Sequence, residues 1–193
     1  MIERSLVLMK PDAVQRGIVG EILARFERAS LKIVGAKLLQ VTDEIADRHY
    51  PSTTEWLEKV GRNTIVDCEK YGIDLMESIG ATDPLEIGKL VKQWNKNFLT
   101  LGPVLAVVFE GVHAVERIRS LVGPTVPVLA PAGTIRGDFS LDSAIAANRR
   151  GRAIYNLIHA SGTVEEAKQE IELWFKKDEL LDYKRIHEDL YKY

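Results

Sequence analysis

The sequence predicts an α+β fold, a ferredoxin-like βαββαβ antiparallel sheet with helices on one face, enlarged by a helical insertion. Three observations predict it. Strand-length apolar stretches alternate with helical periodicity in the order β-α-β-(α)-β-α-loop-β-α once residues 51–101 are set aside. That stretch shows helical spacing and no strand-like run. No internal repeat is visible, so the 193 residues read as a single domain, 1–193, with the insertion 51–101 inside it.

The elements follow in order. Residues 5–10 (SLVLMK) form a short apolar run stopped by Pro11, a buried strand. Residues 11–17 (PDAVQRG) carry turn chemistry at both ends and read as a loop. Val19, Ile22, Leu23 and Phe26 recur at i, i+3, i+4 and i+7, which predicts an amphipathic helix over 18–30. Residues 32–41 (KIVGAKLLQV) suit a strand, with Gly35 a place for a bulge. A short helix over 42–49 has Asp43 and Glu44 in its first turn and ends at Tyr50, before Pro51. Within the insertion, Ser52-x-x-Glu55 is a capping box for a helix carrying Trp56. Asp83-Pro84 opens another, in which Ile87, Leu90, Val91, Trp94 and Phe98 keep helical spacing. Residues 103–111 (PVLAVVFEG) are the most strand-like run in the chain, followed by a helix over 114–122. Residues 123–138 form a long loop holding Pro124, Pro127, Pro131, Gly133 and Gly137, and a loop of that length points to function or to disorder. Residues 152–159 (RAIYNLIH) read as the last strand. Thr163 with Glu166 forms a capping box, and the helix it opens places Val164, Ala167, Ile171 and Trp174 on one face. The charged and aromatic tail over 176–193 suits docking on a neighbour.

Composition excludes several classes. Seven Pro and 14 Gly are near average usage, which removes collagen-like and low-complexity chains. Lys and Arg number 26 against 28 Asp and Glu, a net charge of −2, so neither nucleic acid nor a membrane surface is expected as a partner. Cys68, the one cysteine, can form no internal disulfide and no C-x-x-C metal site. It reads as a small core residue. The opening residues mix charges and reach Lys10 too soon for a secretory signal or a membrane span, so a reducing, cytoplasmic setting is the expectation.

The strongest chemical signal is residues 156–163 (NLIHASGT), which put His159 at the end of a strand just ahead of a capped helix N-terminus. Free helix N–H groups favour an anion there. A neutral imidazole is a competent nucleophile near pH 7. Ser161 or Glu170 could fix the ring and aim it at a phosphoryl group. Taken alone, a strand-end histidine is more often a satisfied polar residue. The long loop adds Thr125 and then Arg136 between Gly133 and Gly137, an arrangement that lets backbone approach a ligand while the guanidinium forks onto phosphate oxygens. Arg119 on the preceding helix and Lys10 at the end of the first strand complete three cations around one histidine. His49, His113 and His187 show no metal spacing.

Lys10-Pro11-Asp12, Gln15-Arg16-Gly17, residues 133–139 (GTIRGDF), Asn156-x-x-His159-x-Ser161 and the trailing Glu170-Ile171-x-Leu173-Trp174-Phe175 closely resemble the nucleoside diphosphate kinase family. The resemblance covers 1–50 and 102–182 with the motifs in the same order. It implies a reversible transfer of the γ-phosphate from a nucleoside triphosphate to a nucleoside diphosphate, by a ping-pong mechanism through a phosphohistidine, maintaining triphosphate pools. On this resemblance His159 carries the phosphate, while Lys10 touches the γ-phosphate and the ribose 3′-hydroxyl. Asn156 would hold that same hydroxyl. Tyr50, Arg119, Thr125 and Arg136 would hold the phosphates, and Ser161 and Glu170 would orient the histidine. The resemblance also implies Mg2+ bridging the phosphates largely through water, with no protein metal ligands, low base selectivity, and a homo-oligomer, a hexamer rather than a tetramer.

The chain also departs from the family pattern. Gly162 stands where an aspartate is common, and the aromatic residue expected to stack on the base falls within the insertion, where no Phe occurs between Tyr50 and Phe98. Trp56 could stack there, although its spacing with Val60 suits a core residue better. The charge run Arg149, Arg150 and Arg152 reads as a solvated face without a role. Two other functions compete: a nucleotide-binding module without transfer activity, and a ferredoxin-like RNA-binding domain. The second needs aromatic residues on the central strands, which offer only Phe109. Neither G-x-x-x-x-G-K-[ST] nor G-x-G-x-x-G after a strand occurs.

Overall fold

The computed structural model describes residues 2–70 and 72–186. β1 (Ile2–Met9) and β3 (Pro103–Val112) form the centre of a four-stranded antiparallel sheet. β2 (Lys32–Gln40) and β4 (Ile158–Ala160) flank them in the order β2-β3-β1-β4. Leu6, Val7, Leu8 and Met9 have no exposed surface. Both faces of β1 are therefore covered, which is why its sequence runs apolar without alternating.

The crossover helices α2 (Val19–Arg28) and α7 (Ala114–Val122) lie on one face, as expected. They pack through Ile22, Phe26 and Ile118 on Val107 and Phe109, with the Phe26 and Phe109 rings 4.8 Å apart. The other face is not left open. Ala46 of α3 (Asp43–His49), Leu99 of α6 (Pro84–Thr100), and Ile171 and Trp174 of α10 (Val164–Trp174) cover Leu6, Leu8, Val34 and Ala106 there. The insertion supplies part of this second layer, so the sheet is sandwiched.

Within the insertion α4 (Thr54–Lys70) and α6 touch backbone to backbone. A Cβ on Gly61 would stand 1.8 Å from the Pro84 carbonyl oxygen, and one on Gly88 2.0 Å from that of Leu57. No other residue permits that approach. A short α5 (Leu75–Ser78) lies between them. α6 is tied to α3 by Lys96 and Lys92, whose Nζ atoms lie 2.8 and 3.1 Å from Asp47 Oδ1. Ser52 does not cap α4. Its hydroxyl accepts from buried Lys92, an ammonium that must find partners away from water, and Thr53 Oγ1 accepts from Trp56 N instead. Asp83 caps α6 as its sequence suggests, with Pro84 in the first turn.

Local differences have local causes. Residues 11–17 contain a helical turn, α1 (Pro11–Gln15), because Pro11 suits the first helical position and the Lys10 carbonyl accepts from Ala13 N and Val14 N. The last strand is only Ile158–Ala160. Upstream, Asp142 holds Arg152 at 2.6 and 3.1 Å and accepts from Tyr155 N at 2.6 Å, and Leu157 turns to φ +67, so the chain cannot stay extended. The charge run thus anchors a loop through Arg152. The long loop holds a 3-10 turn (Pro127–Leu129) and α8 (Ile135–Phe139), and α9 (Ala144–Asn148) follows under a Ser143 cap. A register shift marks the bulge at Gly35. The tail docks on its own chain: Leu181 N donates to Val34 O and Tyr183 Oη to Ile33 O, each at 2.7 Å. His187, Tyr191 and Tyr193 lie outside the described residues.

Candidate active site

His159 pairs with Leu8 in the β4–β1 register, on the face that α3 and α10 cover. Its Nε2 lies 2.7 Å from Glu170 Oε1 on α10. The second oxygen, Oε2, accepts from Ser161 Oγ at 2.6 Å, and Ser161 in turn accepts from Leu6 N at 3.2 Å. An ionised carboxylate only accepts hydrogen bonds, so Nε2 carries the proton and Nδ1 keeps the lone pair. Ser161 is fully buried and Glu170 nearly so. The ring is thereby fixed in both orientation and tautomer.

A second histidine closes the far side. The His49 ring from α3 meets His159 edge-on, with centroids 4.5 Å apart and planes at 83°. Its Nδ1 accepts from Trp174 Nε1 at 3.3 Å. Burial, with the charges of His159 and Lys10 adding to it, holds His49 well below the usual imidazole range, so it is neutral at pH 7. His49, His159 and Glu170 bring ligand-type atoms within 4.8 Å of one another; His49 Nδ1 and His159 Nε2 are engaged by Trp174 and Glu170, while His49 Nε2 is buried without a partner among the described residues. No local pattern marks His49 beyond its place beside Tyr50, because its role exists only once α3 lies on the sheet.

The cations gather next to this ring. Lys10 is 7% exposed and donates to Asn156 Oδ1 at 2.8 Å, while Asn156 Nδ2 donates to the Thr125 carbonyl at 2.9 Å. Burial, then the neighbouring Arg136 charge, pulls the Lys10 ammonium down to about 8. Arg136 is lowered to about 10 by burial and by Arg119. Arg136 does not simply fork outward: its three nitrogens donate to the carbonyls of Asn156, Gly123 and Ile158 at 3.2, 2.8 and 2.6 Å. It fixes the cavity wall that it lines. The room at Gly137 is filled by the Pro131 carbonyl rather than by a ligand. Asp12 of the Lys-Pro-Asp motif accepts from Leu157 N at 3.0 Å and so holds that left-handed residue beside the His159 strand.

One cavity of about 630 Å³ joins these groups, within the usual range for a small ligand. Lys10, Tyr50, Arg119, Thr125, Arg136, Asn156 and His159 line it, with Ser161 and Glu170 standing behind His159. Burial and the Glu170 charge push the Tyr50 hydroxyl above the usual phenol range, so it stays protonated. At Gly162 a Cβ would stand 2.5 Å from Glu166 Oε2. The glycine vacates space for that carboxylate, which accepts from Gly162 N at 2.7 Å and lines the cavity. The Thr163–Glu166 box is thus half formed: Thr163 Oγ1 accepts from Glu166 N, and Glu166 turns to Gly162 instead of Thr163. Trp56 does not line the cavity, whereas Trp94 does.

Fold and site together define a class: a ferredoxin-like α+β domain with a nucleotide-sized anion cavity around an oriented histidine. The comparisons agree. The sequence model of the nucleoside diphosphate kinase family matches residues 3–57 and 88–180. A nucleoside diphosphate kinase of Pyrobaculum aerophilum is 46% identical over 181 residues, 94% of this chain and 99% of that one. One of Borreliella burgdorferi is 37% identical over 190 residues, 97% and 96% of the two chains. The crystal structure of an NDP kinase from Pyrobaculum aerophilum superposes with a TM-score of 0.91 at 44% identity, covering 94% of this chain and all of that one. A transition-state mimic of the Borrelia burgdorferi enzyme, with bound vanadate and ADP, gives 0.77 at 36% identity, covering 97% and 95%.

The chain belongs to the nucleoside diphosphate kinase family. It is a phosphotransferase that moves the γ-phosphate of a nucleoside triphosphate to a nucleoside diphosphate, reversibly, in two half-reactions through a phosphohistidine. The family match leaves out residues 58–87, while these relatives align over nearly the whole chain.

Proposed function

We propose that His159 is the phosphate carrier and that Nδ1 is its attacking atom. The Nδ1 lone pair forms a bond to the γ-phosphorus as the bond to the β,γ-bridging oxygen breaks, and the diphosphate leaves with that electron pair. A second diphosphate then reverses the step. The imidazole gains positive charge as the P–N bond forms, and Glu170 on Nε2–H stabilises it in a site with little water. Both half-reactions break and make equivalent bonds, so the chain needs only positioning and charge neutralisation. Lys10, Arg119 and Arg136 neutralise the phosphates, Tyr50 and Thr125 donate hydroxyls to them, and Asn156, set by Lys10 and the Thr125 carbonyl, meets the ribose hydroxyl.

Magnesium favours oxygen ligands and keeps much of its water. At the phosphate end of the cavity the chain offers it one carboxylate, Glu166, already bonded to Gly162 N, a donor set that fits an ion carried mainly by the nucleotide. When bound there it supplies charge neutralisation. The 51–101 helices act as an enlarged nucleotide lid, a reading supported by the α4 and α6 side chains on the cavity wall. Exposed Val128 and Leu129 on the Pro-rich segment and Leu38 on β2 suit a homo-oligomer, with a hexamer preferred. No helix among the described residues is long and apolar enough to cross a membrane, and the buried free thiol of Cys68 suits a cytoplasmic setting.

The 2.7 Å contact between His159 Nε2 and Glu170, beside three cations in one cavity, carries this reading. Incubation with γ-labelled ATP should leave acid-labile, base-stable label on the wild type, released by any diphosphate, and none on His159→Ala. Label on the variant would overturn the assignment. An unlabelled wild type would leave only a nucleotide-binding module.

A further inference from the structure

Phe98 and Tyr155 do not line the cavity, yet each adjoins a residue that does. Phe98 lies in the last turn of α6 and is buried. Its ring stacks on that of Tyr155, with centroids 4.6 Å apart and planes at 21°. The Lys10 ammonium lies over the same Phe98 ring, 5.6 Å from its centre. A ring face attracts a cation without needing one of its N–H groups, so Phe98 covers Lys10 and leaves those donors for oxygen acceptors. Asn156 Oδ1 takes one of them at 2.8 Å. The turn after α6 is pressed on the residues that follow Lys10: a Cβ on Gly102 would stand 3.5 Å from Pro11 Cβ and 3.1 Å from Gln15 Nε2. The end of α6 is therefore seated beside the lysine that Phe98 covers.

Tyr155 is fixed through both its ring and its backbone. The Arg152 guanidinium lies 4.3 Å from the Tyr155 ring centre and is itself gripped by Asp142. Asp142 also accepts from Tyr155 N at 2.6 Å, and the Tyr155 carbonyl accepts from Ser140 Oγ at 2.7 Å. The next residue along the chain is Asn156, so what fixes Tyr155 also places Asn156. The ring stack thus joins the two sides of the Lys10–Asn156 hydrogen bond, with Phe98 against Lys10 and Tyr155 one residue from Asn156. One ribose hydroxyl meets both groups only while their spacing holds, and a displacement of about 1 Å at such a pair is costly.

Resting on the phosphotransferase reading above, we propose that Phe98 and Tyr155 are positioning residues for the transfer: their stack holds Lys10 and Asn156 at the spacing at which both meet the ribose 3′-hydroxyl, and neither ring touches the nucleotide.

Two acceptors that differ only in the 3′-hydroxyl test this directly. Single-turnover transfer from the isolated phosphoenzyme to 2′-deoxyadenosine diphosphate and to 2′,3′-dideoxyadenosine diphosphate gives one rate ratio for each protein. The wild type should favour the acceptor with the hydroxyl by at least about 100-fold, because the other leaves polar groups of the site unpaired. Phe98→Leu and Tyr155→Leu should each slow transfer to the deoxy acceptor by about tenfold, the equivalent of one charge-assisted hydrogen bond. Transfer to the dideoxy acceptor should slow by no more than about twofold, so the ratio shrinks. Tyr155→Phe keeps the ring and should restore the wild-type ratio. The double variant should match either single one within about twofold, since the two rings act as a unit. Equal slowing with both acceptors, the mark of packing alone, or no slowing with either, would overturn the proposal. Tyr155 is 37% exposed, so Tyr155→Leu decides the matter even where Phe98→Leu fails to fold. The wild type separates the two levels: an absent phosphohistidine label, or equal rates with the two acceptors, defeats the reading beneath, whereas label with the ratio intact in both leucine variants defeats this inference alone.

Discussion

Raising the pH from 7 to 9.5 should strip the charge from Lys10 and weaken nucleotide binding while steadying the empty fold. Lys10 titrates at about 8 in the ligand-free chain because burial penalises its charge and Arg136 repels it. It is then about 90% protonated at pH 7 and about 3% at pH 9.5. A bound polyphosphate restores the ordinary value by opposing charge, so binding takes up a proton above pH 8 and affinity should fall by about 30-fold across the interval. Stability moves the other way. The unfolded lysine holds its proton up to its ordinary 10.5, so between pH 8 and 10.5 the unfolded chain binds more protons and the empty fold gains, by up to about 3 kcal/mol. Tyr50 keeps its proton in the fold throughout the window and so does not affect binding, but its unfolded hydroxyl ionises near its ordinary 10, which offsets part of the stability gain above about pH 9.5. Calorimetric titration of GDP at half-unit pH steps measures the first effect and urea unfolding of the free protein the second. Lys10→Met should bind more weakly at pH 7 and show neither slope. A flat wild-type affinity, or the same 30-fold fall in Lys10→Met, would refute the reasoning.

Glu170→Gln removes the charge that faces His159 Nε2–H and leaves an amide N–H among acceptors already engaged. The phosphoryl-transfer rate in single turnover should fall by about 10- to 100-fold, the equivalent of one charge-assisted hydrogen bond, with GDP affinity within about twofold. Unchanged transfer would show that the carboxylate does not act through the ring. Gly88→Ala gains about 1 kcal/mol in helix propensity but drives a Cβ to 2.0 Å from the Leu57 carbonyl oxygen. A backbone clash of that depth outweighs the gain, for a net loss of about 2 kcal/mol and a Tm about 4–8 °C lower by scanning calorimetry. An unshifted or higher Tm would mean that α4 and α6 do not meet as described.

Much of this was legible in the sequence because it depends on neighbours in the chain. The spacing of Val19, Ile22 and Phe26 requires a helix with one buried stripe, and the apolar run ending at Met9 requires a strand covered on both faces. Asn156, His159 and Ser161 were legible as a group, since strand and capped helix bring them together within a few residues. What stayed hidden depends on distant parts of the chain meeting. His49 gains meaning only when α3 crosses the sheet beside α10. Leu157, an apolar β-former by composition, turns to positive φ because Asp12, far back in the chain, accepts its N–H, and no local pattern announces that. Trp56 and Trp94 both sit at helical spacing, and the close approach at Gly61 and Gly88 decides which one meets the cavity. Glu166 reads as a capping residue until the space beside Gly162 is seen to admit it.

The most direct test is to find which ring nitrogen carries the phosphate. Nε2 is held by Glu170 at 2.7 Å, so nitrogen-15 and phosphorus NMR of the isolated phosphoenzyme should place the bond on Nδ1 of His159. Phosphate on Nε2, or on any other residue, would contradict the account at its centre.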